Sequence, residues 1–376
     1  MKKFLTLLAL PALTIHSFAA GRRIEMLFLG DQGHHKPADR FFQLSAALGT
    51  HGIDLTYTEK LADLNAATLA KYDGLILYAN HEKIAPEQEK ALIDYVESGH
   101  GFVPLHCASA CFGNSPRFLA LVGGRFKSHE TGEFETKITA PTHPVMAGFT
   151  GFKTWDETYV HDTLSNDRTV LQVRDQEPWT WVRTQGKGRV FYTAYGHDER
   201  TFGNDGFKEL VRRGILWAIG DAAAQQLTAL AIKPYQYDPA KQVPNYEKRT
   251  PAPQYQLPLD PVESRKHIQI PVDAELALAA AEPTIANVID MDWDERGRLW
   301  VVETVDYPND RTDTDGHDRI CILESTRGDG RLDKSTVFAD KLSIPTSLVF
   351  ANGGIIVQQA PHTLFLRDTK GTGHAD

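Results

Sequence analysis

The stretch GFVPLHCASACF, Gly101 to Phe112, limits the possible folds more than any other part of the chain, because a short apolar run ends abruptly at a polar pair, His106 and Cys107. A run of this length and character reads as a strand covered on both faces. The residues before it, PEQEKALIDYVESG, place Ala91, Leu92, Tyr95 and Val96 at helical spacing and stop at Ser98-Gly99. Helix, tight turn, buried strand and a second helical segment are the grammar of a doubly wound α/β sheet. Such sheets bind ligands beyond the carboxyl ends of their strands, and His106 stands at one of those ends.

The same grammar extends on both sides. An apolar strand runs to Gly30-Asp31, and the polar loop Gln32 to Lys36 leads into a helical stretch through Phe41, Leu44 and Leu48. IDLTYTE (Ile53 to Glu59) and YDGLILYAN (Tyr72 to Asn80) are the second and third strands. After SPRFLALVGG, the segments FETKITAP, TWDETYVHD, RTVLQVRD and TWVRTQGKGRVFYTAYGHD read as further strands, the last a hairpin across Gln185 to Gly188. GFKELVRRGILWAIGD closes this part as an amphipathic helix with Phe207, Leu210, Val211, Ile215 and Leu216 on one side.

At 376 residues the chain is long enough for two cores. Its formal charge of −9, with no long basic run, argues against a nucleic-acid partner. Lys2-Lys3, the apolar run Phe4 to Leu13 and the small residues before Gly21 have the three-part layout of a secretory signal over residues 1–20, too short to span a bilayer as a mature helix. The expected mature protein is therefore secreted or periplasmic, with no transmembrane segment. Its cysteines, Cys107, Cys111 and Cys321, are odd in number and form no C-x-x-C pair, so a disulfide framework is not expected.

Pooling the residues that follow each strand brings a set of polar groups to one rim. These are Asp31, His34 and His35 after the first strand, Asn80 and His81 after the third, His106 after the fourth, and His197, Asp198 and Glu199 after the hairpin. Taken singly, His34 or His81 reads as a hydrogen-bonded structural residue. Four strand ends that each deliver a histidine point to metal ligation through neutral imidazoles or to acid/base work near neutral pH. In TWDETYVHD read as one strand, Glu157, Tyr159 and His161 share a face and Asp156 takes the other. A carboxylate, a phenol and an imidazole in a row suit sugar hydroxyls; the bland alternative is the solvated face of an edge strand. His129 and His143 lie in loops, His129 as a lid residue. No H-E-x-x-H, P-loop or dinucleotide fingerprint occurs. A Cys107 nucleophile with a histidine base and a carboxylate would make an amide hydrolase, but the glycines of a nucleophile elbow are absent around it.

Residues 23 to 220 resemble the ThuA-like (trehalose utilisation) family through GDQGHH, GHGFVPLHCA, the loop bearing His129, THPVMAGF, WDETY, and GKGRVFYTAYGHD followed by GILWAIG. Pro104 departs from the family's usual glycine. The resemblance implies a flavodoxin-like doubly wound sheet related to class I glutamine amidotransferases, with His106 at the position of their catalytic cysteine. It also implies action on carbohydrates, particularly disaccharides and their 3-keto forms. The expected reading of residues 21–222 is then a hydrolase or lyase acting on a sugar or keto-glycoside. In it His106, His197 and Glu157 are catalytic, His106 and His197 are candidate ligands of a divalent metal, and Asp31, His35, Asn80, His129 and Tyr159 contact the substrate. The different-class rival is a non-catalytic sugar-binding domain.

Residues 223–271 lose the rhythm and read as a linker or irregular wrap rich in Pro, Gln, Ala and Tyr. Beyond it ILESTRGDGRLD, Ile322 to Asp333, aligns without gaps to FLRDTKGTGHAD, Phe365 to Asp376, an offset of 43 residues (376 − 333). A period of this size built from short strands is the signature of propeller blades. Residues 272–376 have room for two or three blades, so an incomplete propeller cut inside its second repeat is expected. The stretches MDWDERGRLWVVETVDYPND, STVFADKLSIPTSL and FLRDTKGTGHAD resemble the propeller of planctomycete and verrucomicrobial membrane-bound dehydrogenase-like proteins, similar to glucose/sorbosone dehydrogenases. That family implies redox chemistry, but no C-x-x-C-H occurs, so neither haem nor quinone is supported by this chain. Asp313, Asp315 and Asp318 offer a calcium loop, for which a polar turn is the preferred reading.

Overall fold

The computed structural model describes residues 21–308, 310–312 and 315–376. Two compact units divide the chain, the first ending at Ala274 and the second covering Glu275–Asp376. The proposed secretory signal and Asp313 lie outside the described residues.

The first unit is built on strands β1 (Ile24–Leu29), β2 (Ile53–Thr58), β3 (Gly74–Leu77), β4 (Gly101–Pro104), β5 (Arg125–Ser128), β6 (Thr131–Glu135), β7 (Lys137–Ile138), β8 (Lys153–Glu157), β9 (Val160–Asp162), β10 (Thr169–Arg174), β11 (Glu177–Gln185) and β12 (Gly188–Thr193). Eight of them form one sheet in the order β2-β1-β3-β4-β12-β11-β10-β7. The first five of that order are parallel, and β11, β10 and β7 extend the sheet by antiparallel pairing. With β12 counted as the fifth parallel strand, the order is the 2-1-3-4-5 of a flavodoxin-like sheet. Its centre is apolar throughout, as burial on both faces requires: GLIL of β3 and GFVP of β4 are wholly buried.

Helices α1 (Pro37–Gly49), α2 (Ala66–Leu69), α3 (Pro86–Ser98), α4 (Pro116–Val122), α5 (Glu199–Phe202), α6 (Asp205–Ala218) and α7 (Asp221–Leu230) supply the covering layers. α1 packs against α5 and α6, whereas α3 packs against α2 and α4. α6 buries Phe207, Leu210, Val211, Gly214, Ile215 and Ala218; Leu216 is only partly buried. At Gly214 a Cβ would lie 2.4 Å from the Phe191 ring, so only glycine lets α6 approach β12 this closely.

TWDETYVHD is two strands rather than one. β8 stops at Glu157 and pairs with β6, while β9 starts at Val160 and pairs with β5. His161 accordingly turns into the interior, 6% exposed, between Glu177 and the Tyr192 hydroxyl, and is no part of a solvated edge. Residues 223–271 hold most of α7, the pair β13 (Tyr237–Gln242) and β14 (Gln254–Gln256), and α8 (Pro261–Lys266), all within the first unit.

The second unit consists of two small antiparallel meanders. One contains β15 (Val288–Trp293), β16 (Leu299–Glu303), β17 (Asp318–Glu324) and β18 (Lys334–Leu342); the other contains β19 (Pro345–Ala351), β20 (Gly354–Gln359) and β21 (His362–Leu366). Trp300, Val302, Ile320, Ile322 and Phe338 of the first sheet pack on Leu348, Ile355 and Val357 of the second. The 43-residue offset is structural as well as sequential. Thr326 donates its N–H and hydroxyl to Asp333 at 2.8 and 2.7 Å, and Thr369 donates the same two groups to Asp376 at 3.0 and 2.7 Å. Asp318, offered above as a calcium ligand, is 1% exposed, and its carboxylate accepts from the N–H groups of Val305, Asp306 and Ile344 and from the Thr304 hydroxyl. It ties backbone segments together and has no free oxygen to offer a cation.

Candidate metal centre

Three strand ends and one strand of the cover meet at the carboxyl edge of the parallel sheet. His35 comes from the loop after β1, His106 from the turn after β4, His197 from the turn after β12 and Glu157 from the end of β8. One potential ligand atom from each lies within 4.8 Å of all the others, and no other such group of His, Cys, Asp and Glu occurs among the described residues. His35, His106 and Glu157 are buried and His197 is partly open. The three histidines were expected at one rim, His35 as a substrate contact, and Glu157 was expected as a catalytic residue on the strand TWDETYVHD; here the His35 ring stands 5.1 Å from that of His106 and 5.4 Å from that of His197.

Each imidazole sits in a different environment. His106 Nδ1 lies 2.7 Å from the Ala194 carbonyl, which can only accept, so Nδ1 carries a proton, and Nε2 is hydrogen-bonded to Glu157 Oε2 at 3.2 Å. His35 Nε2 is buried with no hydrogen-bond partner, and burial, reinforced by the neighbouring histidines, lowers its pKa from 6.5 to about 2. It is therefore a neutral imidazole with an unused nitrogen. His197 Nδ1 lies 3.2 Å from Glu157 Oε1 without hydrogen-bond alignment, as a close electrostatic neighbour. Contact with Glu157 raises the His197 pKa against the lowering effect of burial. At Glu157 burial favours the neutral acid, but His106 and His197 outweigh it and hold the carboxyl below its usual range.

His106 holds its place through its backbone. Its φ of +44° is in the left-handed region, unusual for a residue with a side chain. Its carbonyl accepts from the Tyr192 hydroxyl at 3.1 Å and from the Ser109 hydroxyl at 3.1 Å, and Tyr192 in turn meets His161 Nε2 at 3.0 Å. Facing it across the turn is Gly196, φ +132°, where a Cβ would come within 3.2 Å of the His106 Cβ. Tyr159 stacks on the His106 ring, centroids 4.2 Å apart, and Phe126 packs 4.5 Å from Tyr159.

The remaining expected residues divide between the rim and the turns. His129, exposed on the β5–β6 connection, brings Nε2 to 3.5 Å from Glu157 Oε1. Asp31 is occupied by the loop, accepting from the N–H groups of Gly33 and Asn80. Asn80 leaves its side-chain oxygen buried and unpaired. His81 donates to the Gly30 carbonyl at 3.1 Å and is structural, as a lone histidine was expected to be. Cys107 is fully buried, and burial pushes its thiol well above the usual value, the opposite of an activated nucleophile. All three cysteines are free.

Asp156 escaped the sequence reading. It is fully buried, and burial raises its pKa although four donors surround it. Alternation assigned it to the face opposite Glu157, and no local pattern announces a carboxylate three of whose four partners lie 40 to 45 residues away.

Among comparisons with known proteins, no curated protein matches the chain. Solved structures of ThuA-like proteins resemble it. One from Parabacteroides merdae is 20% identical, covers 53% of this chain and 90% of its own, and has a TM-score of 0.47. One from Bacteroides uniformis is 19% identical, with 53% and 93% covered and a TM-score of 0.46. Residues 260–376 match a domain of unknown function, DUF7133, which names no propeller dehydrogenase. No helix among the described residues is long and apolar enough to cross a membrane. Residues 26–218, more than half of the chain, match the trehalose utilisation family model and carry every residue of the centre, so this chain belongs to the ThuA family.

Proposed function

We propose that the first unit is a carbohydrate-processing domain of the hydrolase or lyase type, centred on a divalent metal held by His35, His106, His197 and Glu157. The observation that carries this reading is the convergence of three imidazoles and one carboxylate, including a buried ring nitrogen with no other partner. A tetrahedral zinc site has donors about 3.4 Å apart, so a set confined within 4.8 Å needs only slight contraction. Three nitrogen donors and one oxygen donor suit a first-row ion such as Zn²⁺.

When bound, such an ion supplies a Lewis acid for a carbonyl or hydroxyl oxygen and lowers the pKa of coordinated water. The protein does the rest. His35, held neutral by burial, keeps its lone pair available, and His106, its Nδ1 proton directed to the Ala194 carbonyl, presents Nε2 to the centre. Tyr159 and Phe126 wall off one side of His106 and exclude water from it. His129, outside the donor set and open to solvent, is placed to move a proton at a substrate oxygen above Glu157. Partly exposed Trp155, its ring centroid 6.0 Å from that of His197, offers an apolar face for a sugar ring, while Arg200 covers its other face at 3.3 Å. Export belongs to the same reading and rests on the layout of residues 1–20. For the second unit, consecutive meanders with a 43-residue structural repeat support the reading of two propeller blades.

The test is metal analysis by mass spectrometry on protein purified without chelator, beside His106→Ala and His197→Ala. One divalent ion per chain, lost in both variants, is expected, together with turnover of a keto-disaccharide by the wild type only. Folded wild-type protein that neither contains nor takes up a divalent ion would sink the metal reading. Sugar binding without turnover in the metal-loaded protein would favour the binding-domain rival.

A further inference from the structure

We infer that Asp156 is the positioning residue of this centre: one buried carboxylate sets the places of two of the four ligands, Glu157 and His197, by holding their backbone rather than their side chains. The inference rests on the metal reading above. Asp156 Oδ1 accepts from the Glu157 N–H at 2.8 Å and from the His197 N–H at 3.0 Å. Oδ2 accepts from the Gly196 N–H at 2.8 Å and from the Thr201 hydroxyl at 2.9 Å. The end of β8, the turn after β12 and the start of α5 therefore meet on a single side chain that is fully buried. The two ligands it fixes come from segments about 40 residues apart, and Glu157 Oε1 lies 3.2 Å from His197 Nδ1. His35 and His106 are held independently, by the loop after β1 and by the grip of Ala194, Tyr192 and Ser109 on the turn after β4.

The chemistry of this arrangement is one-sided. All four neighbours are donors, and a carboxylate, which only accepts, is the one side chain of this size that satisfies them all. Asparagine would keep the shape but turn an NH₂ group toward two of the donors. Either the Glu157–His197 pair or the Gly196–Thr201 pair would then be repelled, and the turn carrying His197 would move relative to Glu157. Groups that orient a metal's ligands without touching the ion typically contribute 10- to 100-fold to its affinity.

The experiment is a zinc titration, by competition with a chromophoric chelator, of the full chain as wild type, Asp156→Asn, Thr201→Val and Gly214→Ala, with a thermal melt of each. Asp156→Asn is expected to bind one ion with Kd raised 10- to 100-fold. Thr201→Val, which removes one of the four donors, should show a smaller rise and keeps the test alive if Asp156→Asn does not fold. Gly214→Ala strains the α6–β12 contact without touching the carboxylate; it should lower the melting temperature and leave Kd unchanged. A wild-type Kd in both Asp156→Asn and Thr201→Val, with melting temperatures lowered, would make Asp156 merely structural and overturn the inference. A wild-type chain that binds no zinc would overturn the metal reading and the inference together, an outcome distinct from the first because it shows in the wild type.

Discussion

A buried imidazole with an unused nitrogen contributes to stability in a pH-dependent way. The His35 pKa is depressed from 6.5 in the unfolded chain to about 2 in the fold, so the stability it contributes is fully present above about pH 6.5. That stability is lost as the pH falls toward 2, because the unfolded chain takes up a proton that the folded one refuses. In chelator-treated protein the melting temperature should fall steadily below pH 6.5, and His35→Phe should flatten the slope; an unchanged slope would show His35 to be solvated. Cys107 should label with iodoacetamide only slowly in the native protein and rapidly in urea, since its thiol is buried; rapid native labelling would revive the cysteine hydrolase. At this scale much of the centre was legible, because His35, His106 and His197 each follow a strand, and strand ends share an edge whatever the details of packing. Asp156 was not, since three of its four partners are backbone N–H groups and a backbone leaves no mark in a sequence. Asp31 and His81 show the converse: they stand at the same edge but serve their own loops.

Among the elements, the parallel strands were readable from apolar runs alone, and α6 from its spacing, because burial on two faces or on one stripe writes itself into residue type. The cover over the sheet edge was not. TWDETYVHD alternates like one strand, yet β8 and β9 pair with different partners, a choice made by β5 and β6 far upstream. The same break turned His161 from an open face into the interior. The contact of α6 on β12 is close at Gly214, and Gly214→Ala should cost about 1–3 kcal/mol, read as a lower denaturant midpoint at constant slope. Tyr192→Phe keeps the ring but removes the hydroxyl that meets His106 and His161; it should destabilise by about 1 kcal/mol and loosen the turn that carries His106.

For the whole molecule, separate cores in the two units predict that residues 21–274 fold without the rest. The shortened chain should melt cooperatively and retain the zinc affinity of the full chain; a molten or metal-free product would show that the second unit completes the first. The Pro-rich stretch from 223 to 271 has the composition of a tether and contributes short elements to the first unit. The 43-residue period was easier to see, because Thr326 and Asp333 recur as Thr369 and Asp376. Each of those pairs is a clasp that fastens a loop to itself, and the second loop also reaches the first sheet, where the Ala375 N–H donates to the Phe338 carbonyl at 2.8 Å. The second sheet is therefore bound to the first at this loop as well as through their common core, so a chain that lost one of them would leave the other's apolar face open to water.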